Sequence, residues 1–169
     1  MPEIVLVALN AKWAHAAFGA RCLLANLGAL RGRAALREFD LHARPADVAE
    51  EVLALEPRVV GLGVYVWNVA AATALVGVLK ALRPDLPVVL GGPEVGFAPD
   101  GPEVARRADH VIAGEADLAF AALGRRLLAG ARPAERFIAA DPPDLAALAL
   151  PYALYTDEDI ERRVLYVES

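Results

Sequence analysis

One cysteine in 169 residues, Cys22, leaves nothing from which to build a disulfide framework, a cysteine-ligated zinc site or an iron–sulfur cluster within these residues. Histidine is almost as scarce. His15, His42 and His110 lie far apart, and no metal-ligand spacing links them. Basic charge is in deficit too: 17 Lys and Arg stand against 22 Asp and Glu, a formal charge of −5. A general nucleic-acid binder needs a basic face to neutralise phosphates, so that class is disfavoured. No uncharged apolar run reaches the roughly 18 residues of a membrane span, and the opening M-P-E-I-V-L-V lacks the basic start of a signal peptide. The expectation is a cytoplasmic chain without membrane or nucleic-acid partners. Internal repeats and low-complexity tracts are absent as well.

What the chain has is aliphatic mass. Its hydrophobic fraction is 57%, above the roughly 45–50% of ordinary globular domains, and much of the excess is alanine. That suits one domain of typical size with a short appendage. Ile4–Leu9 and Val59–Val66 are continuous apolar runs, and Leu36–Leu41 is a more amphipathic one. Val88–Leu90 and His110–Ala113 complete a set of five candidate strands, of the kind found in a parallel sheet covered on both faces.

Between the strands, apolar positions recur at helical spacing. Phe18, Cys22, Leu23, Leu27 and Leu30 form one face before a stop at Gly32. Val48, Val52 and Leu55 follow a first-turn Pro45 and precede Pro57. Asn68 caps a helix whose inner face is Ala72, Leu75, Val76, Leu79 and Leu82. Pro102–Arg107 offers a short helix, and Gly114-Glu115 opens one carrying Leu118, Ala122, Leu123 and Leu127. This alternation predicts a doubly wound α/β fold, flavodoxin-like or Rossmann-like. Its five parallel strands take the order 2-1-3-4-5, followed by a C-terminal extension. The pattern breaks near Ala131. Arg132–Ala140 holds a short strand, Asp141–Pro151 reads as a connector, Thr156 caps one helical turn, and Val164–Val167 is a fresh apolar strand ending at a domain boundary.

In such a sheet, ligands bind beyond the carboxyl ends of the strands, so the loops there must be asked what they hold. Asn10–Gly19 has no G-x-G-x-x-G for a dinucleotide and no G-x-x-x-x-G-K-S/T for a nucleoside triphosphate. It also lacks the close set of Ser, Thr and Gly that would wrap a flavin phosphate. The first and third strands end in Leu9-Asn10 and Val64-Tyr65, without the clustered carboxylates that hold magnesium in a phospho-acceptor domain.

The loops bring bulk and apolar surface instead. The first supplies Lys12, Trp13 and His15, and the third Tyr65, Trp67 and Asn68. The fourth supplies Gly91, Gly92, Pro93 and Glu94, and the fifth Gly114 and Glu115. In V-V-L-G-G-P-E two glycines end a strand, which permits φ > 0 and lets a flat ligand lie against the main chain. Trp13 and Trp67 fall at the same edge of the sheet, an arrangement suited to a broad, largely apolar ligand. Structural readings stand beside these. The tryptophans can cap the core, and the glycines can make a tight turn without a ligand. Glu94 and Glu115 sit where a carboxylate favours a helix start, and Lys12 is solvated. Cys22 reads as a small buried apolar residue, and His42 and His110 as surface or strand-edge residues.

The series L-N-A-K-W-A-H, G-V-Y-V-W-N, L-G-G-P-E and I-A-G-E-A-D resembles the amino-terminal cobalamin-binding domain of cobalamin-dependent radical S-adenosylmethionine proteins. The similarity runs from about residue 3 to 130. The resemblance implies a cobalamin-binding domain over 1–130. Residues 131–169 would then be a connector and first strand toward a radical S-adenosylmethionine domain. The strand V-L-Y-V-E-S is similar to the one that precedes that family's three-cysteine motif, which would follow Ser169. By the same resemblance, Gly91 and Gly92 line the cofactor's nucleotide tail, where any β-carbon would collide with it. Gly63 and Tyr65 flank the tail, Trp67 and Asn68 face the corrin, and Glu94 and Glu115 bond its amides. Lys12 lies near the cofactor phosphate.

Cobalt ligation is where the sequence departs from related domains. Methyltransferase and mutase domains carry D-x-H-x-x-G, in which the aspartate orients the cobalt-binding histidine. The nearest match here is Asn10, His15 and Gly19 at different spacing. The expectation is therefore cobalt without a protein ligand, with His15 ligation as the lesser alternative. On this reading the chain binds cobalamin and does not itself catalyse. The [4Fe-4S] cluster and S-adenosylmethionine belong to the parent enzyme, a methyltransferase or one that uses cobalamin without methyl transfer. Two other classes stay open: a small α/β enzyme or nucleotide binder using Glu94, Glu115 and His15 as acid–base groups, and an interaction domain with an aromatic rim.

Overall fold

Val, Ile and Leu fill the apolar runs, and in the computed structural model, which describes residues 1–97 and 101–168, these runs lie side by side in one parallel sheet. The strands are β1 (Ile4–Asn10), β2 (Ala34–Asp40), β3 (Val59–Gly63), β4 (Val88–Gly91), β5 (His110–Ala113) and β6 (Phe137–Ala139). Their order is β2-β1-β3-β4-β5-β6. The expected order 2-1-3-4-5 thus gains a sixth strand. Phe137, Ile138 and Ala139 pair with Val111, Ile112 and Ala113, and the two apolar side chains pack into opposite faces of the sheet. The expected strand at Val164–Val167 does not form. Val164 makes one parallel bridge to His15, and the first loop then turns into a helix, leaving no extended partner for the residues that follow.

The helices are α1 (Phe18–Ala25), α2 (Pro45–Leu53), α3 (Val69–Leu82), α4 (Glu103–Arg107), α5 (Ala116–Leu128) and α6 (Asp157–Arg162). One face of the sheet (Val5, Val7, Val60, Leu62, Val88, Leu90) packs against the aliphatic side of α2, α3 and α4. Ala72, Leu75, Val76 and Leu79 of α3 are buried as their spacing predicts, at roughly 1.5–3 kcal/mol for each large aliphatic side chain, whereas Leu82, expected on the same face, is exposed at the helix end. The other face (Ile4, Leu6, Val59, Val89, Ile112) meets α5, whose inward residues are Phe120, Leu123, Gly124 and Leu127; Leu118 and Ala122 point outward instead.

On that second face α1 breaks the pattern. The expected helix to Gly32 stops at Ala25, and Gly28–Arg33 forms a 3-10 turn with Gly28 at φ +58°. Arg21 is the single fully buried residue of α1, while Phe18, Cys22 and Leu23 are half-buried. The apolar side that periodicity assigns to the core is the wall of a cleft. Among the described residues, no helix is long and apolar enough to cross a membrane.

Candidate cofactor-binding cleft

The chain reverses its winding direction between β1 and β3, so the loops that follow these strands part from each other at the carboxyl edge of the sheet. Such a switch point is where open α/β sheets form their crevice. Alternation of side chains puts Ala8 of β1, Gly61 and Gly63 of β3, and Val89 and Gly91 of β4 on the α1/α5 side. Gly63 pairs directly with Gly91, and Leu6, Gly61 and Val89 make the next row below. In the upper row Gly91 leaves its backbone uncovered, while Gly63 lies under the Tyr65 ring. Above this row opens a cleft of about 1400 Å³ between α1 and α5, closed in front by residues 142–151 and 166–168.

The glycines of this edge differ in why they are glycines. A β-carbon at Gly91 would come no closer than 3.8 Å to the Ile112 carbonyl, an ordinary contact, so packing does not require glycine there. Gly92 has φ +101°, and a β-carbon on it would lie 2.5 Å from the Val64 carbonyl oxygen. The collision expected with a ligand at Gly92 is therefore a collision with the protein's own main chain. Gly114, at φ +87° with a β-carbon 3.2 Å from the Ala140 carbonyl, is likewise set by backbone, and it does not line the cleft. At Gly61 the side chains of Leu6 and Phe120 occupy the space a β-carbon would take and form the bottom of the cleft.

Tyr65 folds back over Gly63 until its hydroxyl reaches Gly19 of α1, and its ring stacks on Trp67 with centroids 4.6 Å apart and planes 4° from parallel. Asn68 holds this loop in shape. Its Oδ1 accepts from the Tyr65 N–H at 2.8 Å, and its Nδ2 donates to the Leu9 and Gly63 carbonyls. The side chain therefore makes no helix cap, although Asn68 occupies the N-cap position of α3, and it is buried with its amide fully engaged. The other tryptophan goes elsewhere. Trp13 lies against the Arg163 guanidinium, 4.5 Å from its ring centroid, and is not part of the cleft wall. The two indoles that share a sheet edge in the sequence do not share a cleft.

Of the remaining expected site residues, Asn10, His15 and Glu115 line the cleft; Lys12, Pro93 and Glu94 do not. Glu94 lies in a turn, not at a helix start, and Glu115 is the N-cap residue of α5 without a side-chain cap bond. The acid–base trio of Glu94, Glu115 and His15 is thus not gathered at one site. His110 is buried rather than exposed, with Nδ1 2.8 Å from the Glu135 carbonyl oxygen.

Sequence reading misses a buried ionic quartet beside the cleft. Arg21 of α1 and Arg163, just after α6, share Glu38 of β2 and Asp159 of α6. Arg21 reaches Glu38 and Asp159 at 2.8 Å each, and Arg163 reaches both at 2.9 Å. Arg163 also donates to the carbonyls of Trp13 and His15, and Glu38 accepts from the Asn10 amide and the Ala17 N–H. The quartet fastens the C-terminal segment and β2 to the loop after β1. Tyr166, carried by that segment, places its hydroxyl 2.6 Å from His15 Nδ1. One signal for the quartet is visible in the sequence: Glu38 follows Ala34 and Leu36 on the inward alternation of β2.

Burial opposes the charges of Glu38 and Asp159, but their partners outweigh it. The Arg21 and Arg163 guanidiniums, the Ala17 N–H and the Asn10 amide hold Glu38 below the usual carboxylate range. The Thr156 N–H and both guanidiniums bring Asp159 down to about 2 from an ordinary 3.8. A carboxylate depressed on folding stabilises the fold at pH values above its unfolded pKa and loses that contribution as pH falls through its folded one. The urea midpoint is accordingly expected to fall from near pH 4 toward pH 2. Asp159→Asn should flatten that slope; a slope identical to that of the unaltered chain would contradict the assignment.

No lysine or arginine is found among the described residues that line the cleft, whereas Glu115, Asp117 and Glu168 are. Burial, reinforced by Glu115 and Glu168, raises the Asp117 pKa above the usual carboxylate range. Burial, with Asp117 and Glu168 nearby, pushes the Cys22 thiol up to about 11. Such a cleft repels phosphate-dense ligands, which need several cations or a helix N-terminus free of carboxylates.

A parallel α/β sheet with a wide, mostly apolar cleft at its switch point, floored by Gly91, is the framework of a domain that binds a large, mostly apolar cofactor. The chain belongs to the B12-binding domain family, whose model matches residues 4–124. Its fold is similar to that in the 1.5 Å crystal structure of a novel cobalamin-binding protein from Desulfitobacterium hafniense DCB-2. That likeness has a TM-score of 0.54 at 21% identity, covering 75% of this chain and 58% of that one. No curated protein matches the chain.

Proposed function

We propose that this chain holds cobalamin in the cleft between α1 and α5 and presents it to a radical S-adenosylmethionine domain in the same polypeptide. The reading rests on Gly91: it floors a cleft of about 1400 Å³ with no lysine or arginine among the described lining residues, and no packing constraint explains it. A corrinoid's single tail phosphodiester demands far less positive charge than a polyphosphate, and a broad ring suits apolar walls. When bound, cobalamin supplies a cobalt centre that can carry a one-carbon group or exchange electrons.

The chain's own residues bind and orient. Gly91 admits the nucleotide tail, Gly63 with the Tyr65 ring folded over it flanks the tail, and the stacked rings of Tyr65 and Trp67 offer an aromatic face at the mouth. Asn68 fixes their loop, and Glu115 accepts hydrogen bonds from corrin amides. His15, held through Nδ1 by Tyr166, orients the mouth without ligating cobalt. The partner domain, with its [4Fe-4S] cluster, is supported by the likeness of L-N-A-K-W-A-H and V-L-Y-V-E-S to that family, although Ser169 itself lies outside the described residues. Reading the gene beyond the Ser169 codon tests it: a C-x-x-x-C-x-x-C is expected, and its absence from the whole product would leave a free-standing cobalamin carrier.

The binding itself is tested by mixing the protein with hydroxocobalamin and desalting. The unaltered chain should keep a red chromophore. Gly91→Val should lose most of it, by at least about tenfold, while its thermal unfolding stays close to the parent's, because a β-branched side chain suits the strand and its β-carbon makes only an ordinary contact with the Ile112 carbonyl. A Gly91→Val protein that stays as red as the parent would show that the ligand does not lie on this floor.

A further inference from the structure

We propose that residues 142–150 form a door across the front of the cleft, through which the corrinoid enters and leaves, and that the Asn26 side chain is the latch holding it shut. The inference rests on the cobalamin reading above and goes one step deeper, to what controls exchange of the ligand.

Three walls of the cleft belong to the packed body of the domain. The sheet lies behind, with α1 on one side and α5 on the other. Above, the Tyr65 side chain spans from β3 to Gly19 of α1. The front is of another kind. Residues 142–150 contain one 3-10 turn, Leu145–Ala147, and no strand or longer helix. Leu145 and Leu150 line the cleft and yet stand exposed, so little of this segment's apolar surface is spent on the rest of the fold.

Its hydrogen bonds are as sparse as its packing. Asp144 caps its own turn through the Ala146 N–H, and the turn closes through the Ala147 and Leu148 N–H groups, all within the segment. Among the described residues, two hydrogen bonds tie 142–150 to the rest of the chain, and both join Asn26 to Ala149. Asn26 Nδ2 donates to the Ala149 carbonyl at 3.1 Å, and its Oδ1 accepts from the Ala149 N–H at 2.8 Å. Asn26 is the C-cap residue of α1 and donates to the Cys22 carbonyl as well, so the latch is mounted on a side wall of the cleft. Both ends of the segment are fixed. Before it, the Ala140 N–H donates to the Ala113 carbonyl at the end of β5; after it, Pro151 is buried and its carbonyl accepts from the Leu154 N–H.

The other segment at the front, 166–168, is held far more firmly. It follows Arg163 of the buried quartet and Val164, which exchanges backbone bonds with Ala14 and Ala16. The Tyr152 hydroxyl then accepts from the Glu168 N–H and donates to its carbonyl. Opening on that side breaks buried charge pairs. Opening at 142–150 breaks the two neutral bonds of one amide, which together shift the opening equilibrium by about tenfold. A latch present with and without ligand cancels in the affinity, but it enters the rates of both uptake and release.

The test mixes the whole chain with hydroxocobalamin in a stopped-flow instrument, reads uptake by tryptophan fluorescence, and reads release by a chase with excess cyanocobalamin, whose visible spectrum differs. Asn26→Ala should speed uptake and release by about tenfold each, with their ratio within about threefold of the parent's. Loss of a mere ligand contact would speed release alone. Tyr152→Phe, which loosens the other segment, should leave both rates within about twofold. Unchanged uptake in Asn26→Ala, or equal acceleration by Tyr152→Phe, would overturn the door while leaving cobalamin binding intact. Hydrogen exchange on the ligand-free parent gives a check that needs no variant and no ligand. Protection of the Ala149 amide should be at least about a hundredfold below that of the Val164 amide, and equal protection would also overturn the door. A parent that takes up no hydroxocobalamin would overturn the cobalamin reading itself, and with it a passage for that ligand.

Discussion

Asp159→Ala is expected to cost about 3–5 kcal/mol of the docking of the C-terminal segment, because it strips one carboxylate from a buried set of two cations and two anions. Arg21 and Arg163 would then share Glu38 alone, and one positive charge would stay buried without compensation. The loss has a second component. Asp159 closes a capping box with Thr156, so α6, a helix of six residues, would lose the bond from the Thr156 N–H to the carboxylate as well, keeping the one that the backbone N–H of residue 159 donates to Thr156 Oγ1. Because the damage is local, hydrogen exchange reads it best: protection over residues 157–164 should fall by about two to three orders of magnitude. Glu158→Ala provides the contrast. Its pair with Arg162 is exposed and 3.7 Å apart, and removing it should change stability by less than about 0.5 kcal/mol. Equal effects of the two substitutions would mean that the quartet contributes no more than a surface pair.

Gly92→Val is expected to destabilise the whole sheet, by roughly 2–5 kcal/mol, from a strained positive φ together with a forced displacement of main chain. The atom in the way is the Val64 carbonyl oxygen, which also accepts from the Glu94 N–H, while the Val64 N–H donates to the Gly91 carbonyl. A side chain cannot rotate out of that contact, because both partners are backbone held by hydrogen bonds. Denaturant unfolding should show the loss with or without cobalamin. Its neighbour behaves oppositely: valine at position 91 should leave stability close to the parent's and remove the ligand. Adjacent glycines in one motif thus separate folding from binding. If the residue-92 variant unfolds at the parent's midpoint, the close approach to Val64 is not a constraint.

The parallel sheet was legible because its strands are nearly uninterrupted aliphatic runs, and the winding order follows from right-handed crossovers between neighbours. The third and fourth loops were legible for a similar local reason: glycine and aromatic residues cluster in them within a few positions. Residues that act across long separations were not. Arg21 and Asp159 are 138 positions apart, and Arg163 and Glu38 are 125 apart, so no spacing announces either pair. Trp13 misleads for the same reason, since its partner Arg163 lies at the other end of the chain. Helical periodicity correctly marks Phe18, Cys22 and Leu23 as one apolar side of α1 but cannot say whether protein or ligand covers it. At Asn68, position within the helix start suggests a cap, whereas three competing backbone groups claim the amide.

The half-covered side of α1 has a consequence for how the molecule is completed. The sheet-facing sides of α3 and α5 are buried by the chain itself, whereas Phe18 and Leu23 of α1 are only half-covered and face the cleft. The one deeply seated anchor of α1 is a charge, Arg21, held by residues from β2 and α6, so the helix is hung from an electrostatic hook instead of being glued down. A ligand that covers Phe18 and Leu23 would therefore act as the last piece of the interior, and its arrival should tighten this helix more than any other element of the fold.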